Sequence, residues 1–145
     1  MKRITKKGIK DFVHSIEPEL RVKFQKQDIE IDMVKGTIYI GKEKDTTADT
    51  LYMNFIEKLN SKCKGMNIFL LSILHEIGHW ETWTQEKAVA RNVEYIFLQK
   101  QNLDMEEHFN KYFALPLELD ATLWAIDYAL SHQDIMEEYN WLNNE

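Results

Sequence analysis

A single cysteine, Cys63, stands among 145 residues, so no intramolecular disulfide can staple this chain. A lone thiol fits a reducing compartment, and with no base paired to it Cys63 reads as an incidental loop or core residue rather than a nucleophile. Proline is scarce too, at two residues, and no Pro- or Gly-rich linker, repeat or low-complexity tract divides the chain. Basic charge is in deficit: 18 Lys and Arg against 24 Asp and Glu leave a net charge of −6, which argues against a general nucleic-acid binder. The local exception, Lys2, Arg3, Lys6, Lys7 and Lys10, has no aromatic interleaving and reads as a solvated helix face. Long apolar runs are missing as well. Residues 66–77 are broken by Asn67, Ser72, His75 and Glu76, short of the roughly 18 residues a membrane span needs. The basic start, Met1 to Gly8, is not followed by an apolar signal core, so the expectation is a cytoplasmic protein with no membrane partner.

What is present suits one compact domain over 1–145, because 44% hydrophobic and 29% charged residues can bury one sizeable core. Periodicity predicts helices over 7–16, 48–59, 65–81, 84–101, 116–131 and 134–142. Ile29, Ile31 and Met33 alternate with charged residues before Gly36, and Thr37-Ile38-Tyr39-Ile40 follows, which predicts a hairpin. The fold class is therefore α+β, mostly helical, with a small sheet.

The chemistry is concentrated in His75-Glu76-Ile77-Gly78-His79. Residues four apart on a helix lie one turn apart on one face, so His75 and His79 can reach one zinc ion while Glu76 projects beside them. Zinc lowers the pKa of a bound water to about 7, and a neighbouring carboxylate can take its proton, which makes Glu76 the candidate general base. Met66, Phe69, Leu70, Ile73, Leu74, Ile77 and Trp80 would bury one stripe of this helix, leaving the histidines with Ile68, Leu71 and Ser72 at the core margin. Gly78, costly in a helix interior, suggests close approach of another element. The same pattern would also suit a buried helix with two hydrogen-bonded histidines and no metal.

Catalytic zinc usually takes three protein ligands. After His79 the chain reads Trp80-Glu81-Thr82-Trp83-Thr84-Gln85, without the glycine and third histidine of a metzincin. A distal acid on a second helix is the other arrangement, and Pro116 suits that helix's first turn. Glu118 leads a stripe of Ala121, Ala125 and Ala129 that would let two helices pack closely, and is the preferred third ligand. Asp120, about 160° away around the helix, is the second choice, or an acid that holds an imidazole. His108 and His132 remain further candidates.

Together, His75-Glu76-x-x-His79 and Pro116-x-Glu118-x-x-Ala121-x-x-Trp124-Ala125 resemble the gluzincin-type metallopeptidases of the ImmA/IrrE-like group found in phages and mobile elements. The resemblance spans mainly residues 66 to 130. It implies a zincin-like fold of a small sheet beside helices, zinc held by His75, His79 and Glu118, Glu76 as base, and a protein substrate such as a regulator or repressor. Thr122 stands where such proteins often carry Asn or Asp after the alanine.

Three function classes follow. The first is a zinc-dependent metallopeptidase; the second, a zinc-containing protein-interaction module without proteolytic activity; the third, a metal-free helical domain. For the enzyme, an oxyanion donor is sought among Tyr112, Tyr128 and His132. An extended substrate could add to an exposed strand edge at 37–41, a strand that could equally be an ordinary cover of the core. Trp80, Trp83, Trp124 and Trp141 are read as core rather than as a substrate subsite.

Overall fold

The computed structural model describes residues 2–144, with side chains from residue 5 onward, so the side chains of Lys2 and Arg3 in the basic cluster lie outside the described residues. Among the described residues, seven helices and three strands follow in the order α1 (Lys2–Ile16), β1 (Arg21–Gln25), β2 (Ile29–Asp32), β3 (Thr37–Gly41), α2 (Thr46–Leu59), α3 (Ile68–Thr82), α4 (Gln85–Gln99), α5 (Met105–Phe113), α6 (Pro116–Ser131) and α7 (Gln133–Glu138), with a 3-10 turn at Ser61–Cys63. The α+β class with a small sheet is as the periodicity predicts.

The hairpin forms because Asp32 and Gly36 supply its turn. The Asp32 carboxylate accepts from the Val34 and Lys35 amides, and Gly36 adopts φ 64°, a left-handed conformation that glycine reaches without strain. β1 was not expected. It pairs parallel to β3, Val22 opposite Ile38 and Phe24 opposite Ile40, while β2 pairs antiparallel on the other side. The sheet order is β1-β3-β2, so of the two readings of the strand at 37–41 it is the ordinary cover of the core and not a free edge; the edge nearest the metal-helix motif is β2. Ile38 and Ile40 are fully buried accordingly.

Polar caps mark where helices begin. Asp45, Asn67, Thr84 and Asp104 each accept a hydrogen bond from a backbone amide of the first turn. Asn67 does more: its side-chain amide donates to the Asn140 and Leu142 carbonyls and ties the C-terminal segment to the start of α3. α6 has no side-chain cap and begins with Pro116, whose missing N–H costs nothing there.

α3 is the spine. Leu70, Leu71, Ile73, Leu74 and Ile77 are all fully buried, and His75, Gly78 and His79 are buried with them. The histidines are buried at the edge of this packed interior, where a cleft reaches them, as the core-margin position predicts. α6 packs along α3 through Ala121, Ala125 and Ala129, as the small-residue stripe requires, and a Cβ on Gly78 would lie 2.5 Å from the Ala121 carbonyl oxygen. Cys63 is buried in the core, where desolvation raises its thiol pKa, and it has no place in a reactive site. Among the described residues, no helix is long and apolar enough to cross a membrane.

Candidate metal centre

α3 and α6 bring together the three residues the sequence singles out. The Nε2 atoms of His75 and His79 lie 3.0 and 3.1 Å from Glu118 Oε1, and one ligand-type atom from each residue falls within 4.8 Å of the others. All three side chains are at most 6% exposed. Two imidazole nitrogens and one carboxylate oxygen are the donors zinc prefers in catalytic sites. Ligands held about 2.0–2.1 Å from a tetrahedral ion stand about 3.3 Å apart, so both N···O separations are within a few tenths of an ångström of that spacing. The donor set therefore fits a metal ion.

The carboxylate's charge is stabilised where it sits. Burial pushes the Glu118 pKa up, but hydrogen bonds from His75 and His79 outweigh it and hold the carboxyl well below its usual range. Burial conversely keeps His75 neutral. An ionised acid facing the neutral imidazole of His75 is a protonation state in which a metal can take the place of the Nε2 proton.

Surrounding contacts orient these groups. His75 Nδ1 lies 2.9 Å from the Tyr52 hydroxyl and 3.0 Å from Thr122 Oγ1, and the two oxygens are 3.1 Å apart. With Nε2 committed to a metal, Nδ1–H would donate into this pair and fix the ring. Thr122 thus supplies by a hydroxyl the orienting contact that an amide or acid would make. His79 Nδ1 is buried with no hydrogen-bond partner and is placed by packing alone, its ring 5.8 Å from that of Trp83. Trp83 therefore lines the site, contrary to its expected core role, and Trp141 is 53% exposed.

Glu118's second oxygen, Oε2, accepts from Arg91 Nη1 at 2.9 Å. Sequence reasoning missed Arg91, although a signal exists: it sits on the inward stripe of α4 with Ala88, Tyr95 and Leu98. By holding Oε2, Arg91 leaves Oε1 alone to face the histidines. Arg91→Met should weaken metal binding about 10–100-fold, the usual cost of removing a group that orients a ligand. Competition with a chromophoric chelator measures this, and unchanged affinity would show that Glu118 needs no such support.

Asp120 faces elsewhere and pairs with Lys87, which removes it both as third ligand and as imidazole partner. His108 packs beside Tyr95, and His132 stacks on Tyr128 with ring centroids 4.0 Å apart, its Nδ1 at the Tyr128 carbonyl. Of the three oxyanion candidates only Tyr112 lines the cleft.

That cleft, about 390 Å³, is bounded by Ile29, Glu30 and Ile31 of β2 on one side and by Arg91 and Tyr112 on the other, with Glu76 and the metal-type triad at its floor. Glu76 Oε2 is 3.8 Å from His75 Nε2. Burial raises the Glu76 pKa well above 4.5, reinforced by the negative charges of Glu118 and Glu30 and opposed by the Ile31 amide and Arg91. In the metal-free protein this group costs stability as pH rises. Below about 4.5 the carboxyl is protonated folded or unfolded; above it, the unfolded chain ionises freely while the folded one must keep the proton or bury a charge. Glu76→Gln should therefore raise the metal-free midpoint at pH 7 and leave it nearly unchanged near pH 4. Thermal melts at the two pH values decide it.

Neither a family model, nor a curated protein, nor a solved structure matches this chain.

Proposed function

We propose that this protein is a zinc-dependent metallopeptidase. The observation that carries the reading is the convergence of His75, His79 and Glu118 at the floor of a cleft that Glu76 also lines. When bound, zinc would supply a Lewis acid for the peptide carbonyl and a water acidified to about pKa 7. The protein's own groups account for the rest. Glu76, 3.8 Å from His75 Nε2, would accept a proton from the attacking water at its carboxylate and return it to the leaving amine. Tyr112, which lines the cleft, is the candidate donor to a developing oxyanion, with Arg91 beside it. Burial raises the Tyr112 pKa and keeps its phenol protonated, as a donor must be. The open edge of β2 offers backbone groups to an extended peptide, giving affinity with little sequence demand.

This reading agrees with the resemblance to ImmA/IrrE-like gluzincins and carries that group's substrate class, a regulator or repressor protein, as part of the proposal. The open cleft and the acid beside the triad favour an enzyme over a zinc-stabilised interaction module, since structural zinc sites are closed by four protein ligands.

Elemental analysis of purified protein tests the first step. About one zinc per chain is expected, lost in His75→Ala, His79→Ala and Glu118→Ala and kept in Asp120→Ala. Absence of zinc after loading, with every variant folded by circular dichroism, would overturn the metal reading.

A further inference from the structure

α4 carries two apolar faces, and only one is used. Residues 87, 88, 91, 95 and 98 fall within about 100° of arc and face the protein, with Ala88 and Leu98 buried. On the opposite 100° lie Glu86, Val89, Val93, Ile96, Phe97 and Lys100, all exposed. Val89 is 53% exposed, Val93 47%, Ile96 54% and Phe97 58%. Exposed apolar residues scattered singly are ordinary, but four on one stripe of one helix form a contiguous patch of the kind that marks an interaction surface.

The charges at the stripe's ends specify its occupant. Glu86 and Lys100 each lie seven residues from Val93, on the same line along the helix. When two such helices run antiparallel about a twofold axis at Val93, Glu86 meets the partner's Lys100 and Lys100 meets the partner's Glu86. The same alignment sets Val89 against the partner's Phe97 at both ends of the contact. A parallel pair would instead put Glu86 against Glu86 and Lys100 against Lys100. Lys100 already extends toward the stripe, its Nζ 5.9 Å from the Phe97 ring centre. The arrangement is self-complementary, as an isologous contact requires.

We infer that the outer face of α4 docks a second copy of this chain, as an antiparallel α4–α4 pair centred on Val93. This dimer surface is independent of the metal site, whose residues face the other side of the helix.

Sedimentation equilibrium of the full-length chain tests it. Apparent mass should rise with concentration from the 17.3 kDa of one chain toward twice that value. Val93→Asp with Ile96→Asp should keep the protein monomeric throughout, and circular dichroism should confirm that these solvent-facing changes leave the fold intact. Charge reversal provides the sharper test. Glu86→Lys and Lys100→Glu should each weaken self-association about tenfold, while the double variant should restore it. An equimolar mixture of the two single variants should associate more tightly than either alone, because both end contacts become attractive. Mass of one chain at every concentration would overturn the proposal. So would a dimer indifferent to Val93→Asp with Ile96→Asp, or one that the charge reversals leave unchanged.

Discussion

Glu76→Gln should reduce peptide hydrolysis by about 10²–10⁴-fold in kcat while zinc content stays at the wild-type level, because a positioned general base contributes a factor of that order. The substitution keeps the side chain's size and one acceptor for the Ile31 amide, and removes only the ability to take a proton. Its location permits so clean a separation: Glu76 lies 3.8 Å from His75 Nε2 and is not among the three converging residues, so the metal donors are untouched. KM should change little, since the carboxylate contributes to the transition state rather than to substrate binding. A denatured general substrate such as casein, with a mixed peptide library beside it, suffices for the measurement. An interaction module would bind its partner equally well with or without this substitution. Retention of both zinc and full hydrolytic rate in Glu76→Gln would remove Glu76 from the chemistry and, with it, the mechanism proposed above.

Gly78→Ala should lower Tm by about 3–6 °C, although alanine ordinarily stabilises a helix interior by about 1 kcal/mol over glycine, which offsets part of the cost. The added Cβ would lie 2.5 Å from the Ala121 carbonyl oxygen, 3.0 Å from its Cα and 3.1 Å from its carbonyl carbon. All three are backbone atoms of α6, which cannot rotate away as a side chain can. α6 must move off α3 as a whole, at a cost of about 2–3 kcal/mol for overpacking. That movement also draws Glu118, one turn before Ala121, away from both histidines, so zinc affinity should fall with stability. Ala121→Gly should not rescue the variant, because the obstruction is main chain. Unchanged Tm and zinc binding in Gly78→Ala would show that the two helices separate without cost. Calorimetry and chelator competition supply the two readouts.

The parts of this architecture legible in the sequence are those written in local periodicity. The α3 stripe, the hairpin turn at Gly36 and the alanines that follow Glu118 each leave a pattern within a dozen residues, and each element lies where that pattern places it. Gly78 could be read as a point of close approach, though not which helix approached. β1 escaped notice because Arg21 to Gln25 is short and its pairing with β3 is parallel, with no turn to announce it. α5 carries Met105, Phe109, Tyr112 and Phe113 at helical spacing with Asp104 as a usable cap, but runs for only nine residues, too short for periodicity to stand out. Tyr52 was out of reach of any such argument: it meets His75 across 23 residues and Thr122 across 70, a contact made by tertiary packing alone. Arg91 lay in view, but its partner Glu118 is 27 residues away and on another helix.

α4 and α5 together bury only Ala88 and Leu98 fully, whereas α3 and α6 on either side of them in sequence form the most buried part of the molecule. Local opening is cheapest where few apolar side chains leave water, so residues 85–113 form the unit expected to open at least cost, held through Phe109 and Phe113 against the core. This unit carries Arg91 and Tyr112 over the cleft. On the rigid helices that flank it, His79 and Glu118 are residues that a single ion would join, closing a loop of about 40 residues and removing part of the freedom that opening would release. On the metallopeptidase reading, the wall of the cleft is its most yielding part, and an ion bound at the floor would limit how freely that wall opens to a peptide.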